Sequence, residues 1–245
     1  MPDRRARGDR AGARVQPVPG RHRAAPLAPA GPAGWRWLAV FFFHRRIYMS
    51  NIFVLIYWLG MFAEIIIRYP YRKTWKEGVK KEQRVSALEY TLLTLLSVFM
   101  FFLPVFYSVT DWFDFADYRL PVGISGLGVL VFIFGLFVFW RSHYDLKSNW
   151  SPSLEIRQDH TLVKNGIYRF VRHPMYASQW LLVIAQVTLL QNWIAGPLNL
   201  LFYIFFFYFR VGSEEKMMLD AFGDQYKDYM QQVGGVIPKL PLKSK

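Results

Sequence analysis

There is no cysteine among the 245 residues. Disulfides, thiolate nucleophiles and cysteine-built zinc sites are therefore excluded. Histidine is sparse, five in all, and His143, His160 and His173 stand at no spacing that gathers a metal ion, so no metal is expected. The chain has no phosphate-binding Gly-x-x-x-x-Gly-Lys loop, no Gly-x-Ser-x-Gly elbow and no His-Glu-x-x-His pair. Serine and threonine are missing before Ser50 and Asp3 and Asp9 are present, which departs from the composition of an organellar transit peptide. Acidic residues are few: 17 against 30 Lys and Arg, a formal net charge of +13. That excess looks like a nucleic-acid footprint only until it is divided. Residues 1–48 hold 10 Arg and 2 Asp, or +8, and the rest of the chain carries +5. A surplus of that size, spread over loops, is what membrane topology needs, so no nucleic-acid partner is expected.

What the chain does have is apolar mass: 53% hydrophobic residues, 18% aromatic, with 22 Phe. It falls in blocks, near residues 51–67, 91–109, 121–140, 175–190 and 193–209, which predicts an all-α integral membrane protein with about five transmembrane helices. Only Gln191 and Asn192 separate the last two, so they form a tight hairpin. Residues 1–34 are Arg, Ala, Pro and Gly, a composition that does not fold. The run at 35–43 is about half the ~20 residues of a span, and the character of the sequence changes at Met49. The reading is of a dispensable, non-native extension over 1–48, transmembrane helices 1–3 over 49–140 and a catalytic region over 141–245.

The loops set the orientation. Residues 68–87 are rich in Arg and Lys, residues 110–120 carry Asp111, Asp114 and Asp117, and residues 141–174 are basic again. Basic loops stay in the cytoplasm, which puts the 141–174 loop and the tail there, in a multi-pass protein whose active site faces the cytoplasm. In the tail, Glu214, Met218, Phe222, Tyr226, Tyr229 and Val233 recur at helical spacing. They predict a C-terminal amphipathic helix lying on the membrane or over the third loop. The Gly123, Gly126, Gly128 series mimics a dinucleotide loop, but it lies inside an apolar block with no strand before it; small-residue helix packing is the reading.

Two polar clusters remain. The insert over 159–176 offers Gly166 for a turn and Arg172-His173-Pro174 at a helix start, where free N–H groups favour anions. It reads equally as a charged anchor at the headgroups. Glu214 and Glu215 follow the fifth block, and Arg210 shares a helical face with Glu214 at i, i+4. Each alone reads as a solvated or snorkelling side chain.

Together they carry a resemblance. His160-Thr-Leu-Val163, Gly166-Ile-Tyr168, Arg172-His173-Pro174-Met-Tyr176, then a two-span hairpin, Arg210, Glu214-Glu215, Phe222-Gly223 and Tyr226 resemble the isoprenylcysteine carboxyl methyltransferase family over roughly residues 140–240. The resemblance implies S-adenosyl-L-methionine, leaving as S-adenosyl-L-homocysteine, held by the insert and tail. Its implied contacts are His160, Thr161, Leu162, Val163, Tyr168, His173, Pro174, Met175, Tyr176 and Glu214. Arg210 matches the position that meets the acceptor's carboxylate, which makes Arg210 and Glu214 the catalytic pair. Ser153 falls near a polar position of the eukaryotic members and is left unassigned.

Methyl transfer from a sulfonium is an in-line displacement, so alignment is the enzyme's main task. A carboxylate nucleophile is already ionised at neutral pH and needs no base. The function implied is carboxyl O-methylation of an isoprenylcysteine-like or other lipophilic acid, with lipidated substrate and membrane lipids as partners; no oligomeric state follows. Two other readings stay open: N- or S-methylation of a phospholipid amine or small thiol, and a non-catalytic membrane scaffold.

Overall fold

The structure, a computed structural model, describes residues 50–77, 80–83, 86–157 and 160–239; the extension over 1–48 lies outside them. Helix α1, Ser50–Glu77, does not stop at the end of its apolar block. It runs through Pro70, which costs one backbone bond, and continues because the Lys, Trp and Glu that follow tolerate helix. The expected loop at 68–87 is thus helical over its first half, and Arg68 faces the protein with its guanidinium 4.9 Å from the Phe139 ring.

The all-α expectation missed one small sheet. Strand β1, Lys80–Gln83, pairs antiparallel with β2, Glu155–Arg157, joining Gln83 to Glu155 and Lys80 to Arg157 around an irregularity. Strands this short and charged show no period-two apolar pattern. The sheet matters because it ties the segment after the first helix to the segment after the third span.

Helix α2, Ala87–Ser97, passes through a π-helical turn at Val98–Phe102 into α3, Leu103–Val109. The widened turn exposes the Met100 carbonyl, which accepts the Tyr57 hydroxyl at 2.5 Å. Helix α4, Val122–Leu146, extends past the expected end at Trp140, so Ser142, His143 and Asp145 are helical. It packs along α5, Pro174–Leu190. Gly128 meets Thr188 and Gly135 meets Leu182 so closely that a Cβ on Gly128 would lie 1.8 Å from the Thr188 hydroxyl. Gly123 and Gly126 have nothing within 4 Å; small-residue packing holds for one glycine of that series.

The α5–α6 turn is a buried polar plug. Gln191 takes the left-handed conformation. Asn192 donates to the Phe113 carbonyl and Asp117, and its own oxygen accepts Ile194 and Ala195 N–H groups at 3.0 Å. The short hairpin is therefore capped by the 111–121 segment, and its polar turn is satisfied within the protein. Helix α6, Pro197–Phe222, corrects another expectation: the fifth apolar block and the first part of the amphipathic tail are one helix. No breaker separates them; Gly212 meets nothing, and the helix ends where Gly223 turns left-handed. Helix α7, Asp224–Gln232, then buries Tyr226 and Tyr229.

Among the described residues, three helical stretches are long and apolar enough to cross a membrane: Ile52–Lys76, Ala87–Val109 and Val122–Asn149. Helix α5 is apolar but shorter, and α6 is apolar over its first half. These five form the integral-membrane fold, and their packing seams converge on one cavity.

Candidate active site

Helix α6 presents Arg210, Glu214 and Glu215 on consecutive turns, facing the N-terminus of α5. Pro174 starts α5 and His173 is its cap residue, with non-helical backbone. The chain holds His173 there through a parallel bridge to the C-terminal tail: Arg172 N–H donates to the Gly234 carbonyl at 2.8 Å and His173 N–H to Gly235 at 3.0 Å. Arg172 then crosses to α7, bonding the Met230 and Val233 carbonyls, and its other nitrogen meets Glu215 at 2.7 Å. Those are the orphan carbonyls of a helix end, so Arg172 caps α7 while it pairs with α6.

His173 sits between the two carboxylates, with Nε2 3.0 Å from Glu215 and Nδ1 3.7 Å from Glu214. Burial disfavours its charge, but hydrogen bonds and attraction from both acids outweigh that and push its pKa up to about 9. Glu215 moves the other way, down to about 2, chiefly through the His173 hydrogen bond and then Arg172, against partial burial. Burial would raise Glu214, yet His173, Arg210 and the Tyr176 hydroxyl together hold it below the usual carboxylate range. At neutral pH this is an imidazolium clasped by two carboxylates.

Tyr176 bridges the catalytic candidates. Its hydroxyl donates to Glu214 at 2.6 Å and accepts from Arg210 Nε at 3.2 Å. Arg210 also donates to Glu89 from α2 and to the Pro152 carbonyl at 3.3 Å. Glu89 accepts the Leu154 N–H at 3.0 Å as well. Nothing local marks Glu89 as a site residue: Ser86-x-x-Glu89 reads as a capping box. Ser86 does accept the Glu89 N–H, but the Glu89 side chain is drawn to the buried cation.

The insert is fixed to the end of α4. Asn149 and Thr161 exchange two hydrogen bonds, at 3.1 and 3.2 Å. Asp145, paired with Arg141 at 3.0 Å, accepts the Ile167 N–H at 2.7 Å. Gly166 permits that approach with φ of +60°. Tyr168 is buried, and its carbonyl accepts the Tyr229 hydroxyl at 2.5 Å. The His160 and Phe222 rings lie 5.8 Å apart over a floor of Leu154, Ile156 and Met217. Ser153 donates to Glu155 at 2.5 Å.

All these candidates line one cavity of about 720 Å³: residues 160–163, Tyr168, residues 173–176, Arg210 and Glu214. Its polar end is the insert and α6; its other end is apolar, walled by Met61 and Ile65 of α1 and by Leu96, Met100 and Phe102. Among the polar residues lining it that the sequence did not assign to a site are Glu64, Arg68 and Gln179. Glu64 is an acid within the 51–67 apolar block, Arg68 opens the basic 68–87 stretch, and Gln179 carries no local signal. Walls from α1 and α2 show that the cavity is not confined to residues 141–245.

Residues 127–220 match the profile described as "Isoprenylcysteine carboxyl methyltransferase (ICMT) family". The protein-S-isoprenylcysteine O-methyltransferase of Tribolium castaneum is 33% identical over 140 residues, 54% of this chain and 50% of that protein. That of Schizosaccharomyces pombe is 37% identical over 84 residues, 34% of this chain and 36% of the relative. The Homo sapiens protein is 27% identical over 140 residues, 54% and 49% of the two chains. The chain thus spans about half the length of the curated relatives it matches in Tribolium and Homo. A solved structure of the eukaryotic intramembrane Ras methyltransferase ICMT aligns over 82% of this chain and 72% of its own, at 24% identity and a TM-score of 0.47.

Proposed function

We propose that this chain, whose residues 127–220 match the isoprenylcysteine carboxyl methyltransferase family, is a member of that family and an S-adenosyl-L-methionine-dependent carboxyl O-methyltransferase acting on an isoprenylcysteine-like lipophilic acid. One observation carries this reading: a single cavity joins a polar, aromatic chamber between insert and α6 to an apolar cleft between α1 and α2. The catalytic region over 141–245 supplies the chamber, and the first helices supply the cleft. Tyr69 and Phe102 line the cavity while 72% and 60% exposed, so the cleft opens sideways, where a lipid tail can enter from the bilayer.

The chamber fits the cofactor. Its walls are aromatic and thioether side chains, Tyr168, Tyr176, Met217, Met218 and the His160 ring, suited to an adenosine and a sulfonium. Glu214 supplies half-buried negative charge for a cationic ligand, and the size falls in the ~300–1,000 Å³ range of small-molecule pockets. Residues 160–163, Tyr168, residues 173–176 and Glu214 would hold it. When bound, it supplies an electrophilic methyl group.

The chain's own residues then do three things. The Arg172–His173–Glu215 clasp closes the insert on α6 and keeps water from the chamber. Arg210 draws the acceptor's carboxylate electrostatically; three of its five N–H groups are engaged by Glu89, Tyr176 and Pro152, which limits its grip on the nucleophile. Glu214 stays ionised and is a weak base. A carboxylate acceptor needs none, whereas a protonated amine must lose its proton first, so the arrangement favours acids over phospholipid amines. Basic loops flanking the chamber support an active site that faces the cytoplasm. The test is transfer of a tritiated methyl group from S-adenosyl-L-methionine into N-acetyl-S-farnesylcysteine, with lipid extracts in parallel. Label in an alkali-labile methyl ester of the farnesyl acceptor is expected; label only in phospholipid, or in no acceptor, would overturn the reading.

A further inference from the structure

Besides Arg172 Nε at the clasp, buried cavity-wall atoms outside any hydrogen bond of good geometry among the described residues include Glu64 Oε1, Arg68 Nε and Gln179 Nε2. These last three belong to one cluster. Glu64 and Arg68 stand one turn apart on α1 and attract each other, and the Gln179 amide of α5 meets the Glu64 carboxylate in a weak hydrogen bond that leaves its second N–H free to donate. Glu64 is 5% exposed, and the Arg68 guanidinium is braced over the Phe139 ring. Gln179 lies about one turn beyond Tyr176, away from the insert. The cluster therefore sits deeper than the Tyr176–Glu214–Arg210 bridge, just before the walls become apolar at Met61, Ile65 and Leu96. An unsatisfied buried polar atom costs about 1–3 kcal/mol, and three in one cavity wall call for a ligand that pairs them.

We propose that Glu64, Arg68 and Gln179 form the subsite that reads the acceptor's head group. Arg68 Nε–H donates to the carboxylate oxygen that does not attack, and Glu64 accepts the N–H of an acylated amino group beside it. Gln179 donates to a neighbouring carbonyl of the acceptor. This rests on the carboxyl methyltransferase reading above. Donor and acceptor one helical turn apart match the C-terminal end of an N-acyl amino acid, which offers a carboxylate and an amide N–H on adjacent atoms. A plain fatty acid, or a thioether acid without nitrogen, leaves Glu64 unpaired. The lipid tail then runs into the cleft between α1 and α2, and the carboxylate points towards Tyr176. The subsite makes the contacts that Arg210, already occupied by Glu89, does not.

The experiment compares two acceptors on the full chain in nanodiscs: N-acetyl-S-farnesylcysteine, and S-farnesylthiopropionate, which lacks the acetamido group. Calorimetric titration with S-adenosyl-L-homocysteine serves as the check on folding. Wild type is expected to prefer the amide-bearing acceptor by about tenfold in kcat/KM, the size of one lost buried hydrogen bond. Glu64→Leu should erase that preference and Glu64→Gln, which keeps an acceptor oxygen, should retain it. Arg68→Gln should cut kcat/KM about 30-fold on both acceptors, mainly through KM, at unchanged S-adenosyl-L-homocysteine affinity. No preference in wild type, or a preference untouched in Glu64→Leu that still binds S-adenosyl-L-homocysteine, would overturn the subsite while leaving the methyltransferase reading standing. Binding of S-adenosyl-L-homocysteine with no transfer to either acceptor would instead overturn the reading beneath it.

Discussion

Arg210 donates to the Glu89 carboxylate across 121 positions of sequence, with both side chains more than nine-tenths buried. The pair joins the α2 start to the middle of α6, and the Leu154 N–H completes the Glu89 side. A buried pair of this kind adds little over an apolar match, but removing one partner strands a charge. Glu89→Gln should therefore destabilise the protein by about 3 kcal/mol, read as a lower unfolding temperature in detergent. A Glu89→Gln, Arg210→Gln double variant should recover much of that stability and none of the methyl transfer. Equal losses in single and double variants would show that the pair is not the source.

The clasp around His173 makes stability depend on pH in both directions. His173 has its pKa raised from 6.5 to about 9, so its contribution is complete below about pH 6.5 and fades as pH rises towards 9. Glu215 falls from 4.5 to about 2; its contribution is complete above about pH 4.5 and fades as pH drops towards 2. The clasp is tightest between those limits. Unfolding temperature measured across pH 4 to 9.5 should peak near pH 5–6 and decline on the alkaline side. Glu215→Gln removes one of the two acids that hold the proton on His173, so the alkaline decline should still begin near pH 6.5 but be smaller and level off at lower pH. A profile with no alkaline limb would contradict the clasp.

Much of this was legible in order and spacing. The apolar blocks located the five helices, and the Gln191-Asn192 pair located the hairpin, because burial of long apolar runs leaves few alternatives. Arg172, His173, Tyr176, Arg210 and Glu214 did converge on one cavity. What escaped was whatever depends on partners distant in sequence. Glu89 wore the pattern of a helix cap, and Arg68 that of a loop cation, since nothing local reveals that α1 runs on through Pro70. The Lys80–Gln83 strand has no periodicity of its own and exists only because Glu155–Arg157 lies alongside. Boundaries moved for the same reason: α6 continues past Phe209 because no residue stops it before Gly223.

Tyr176→Phe isolates the bridge from the rest of the chamber. The ring stays, but Glu214 loses a hydrogen bond of 2.6 Å and Arg210 one of 3.2 Å. The stability loss should be about 1 kcal/mol, the net worth of such a bond. The effect on turnover should be larger, about tenfold or more in kcat, because the bridge positions charges around the reacting atoms. Steady-state kinetics with separate kcat and KM decide it: a change confined to KM would make Tyr176 a binding residue and not a positioning one.

Gly166 tests whether the insert is positioned by α4. At φ of +60° an added Cβ would lie 2.1 Å from Asp145 Oδ2, the oxygen that accepts the Ile167 N–H. Gly166→Ala must therefore move the turn or break that bond, on top of about 1 kcal/mol for the left-handed backbone. Residues 160–168 would shift with it, and S-adenosyl-L-homocysteine affinity should drop about tenfold, equivalent to ~1.4 kcal/mol. Gly123→Ala is the matched control. Nothing lies within 4 Å of a Cβ there, and alanine favours helix, so affinity should be unchanged and stability equal or higher. Equal affinity in both variants would mean that the Asp145 contact does not set the chamber's shape.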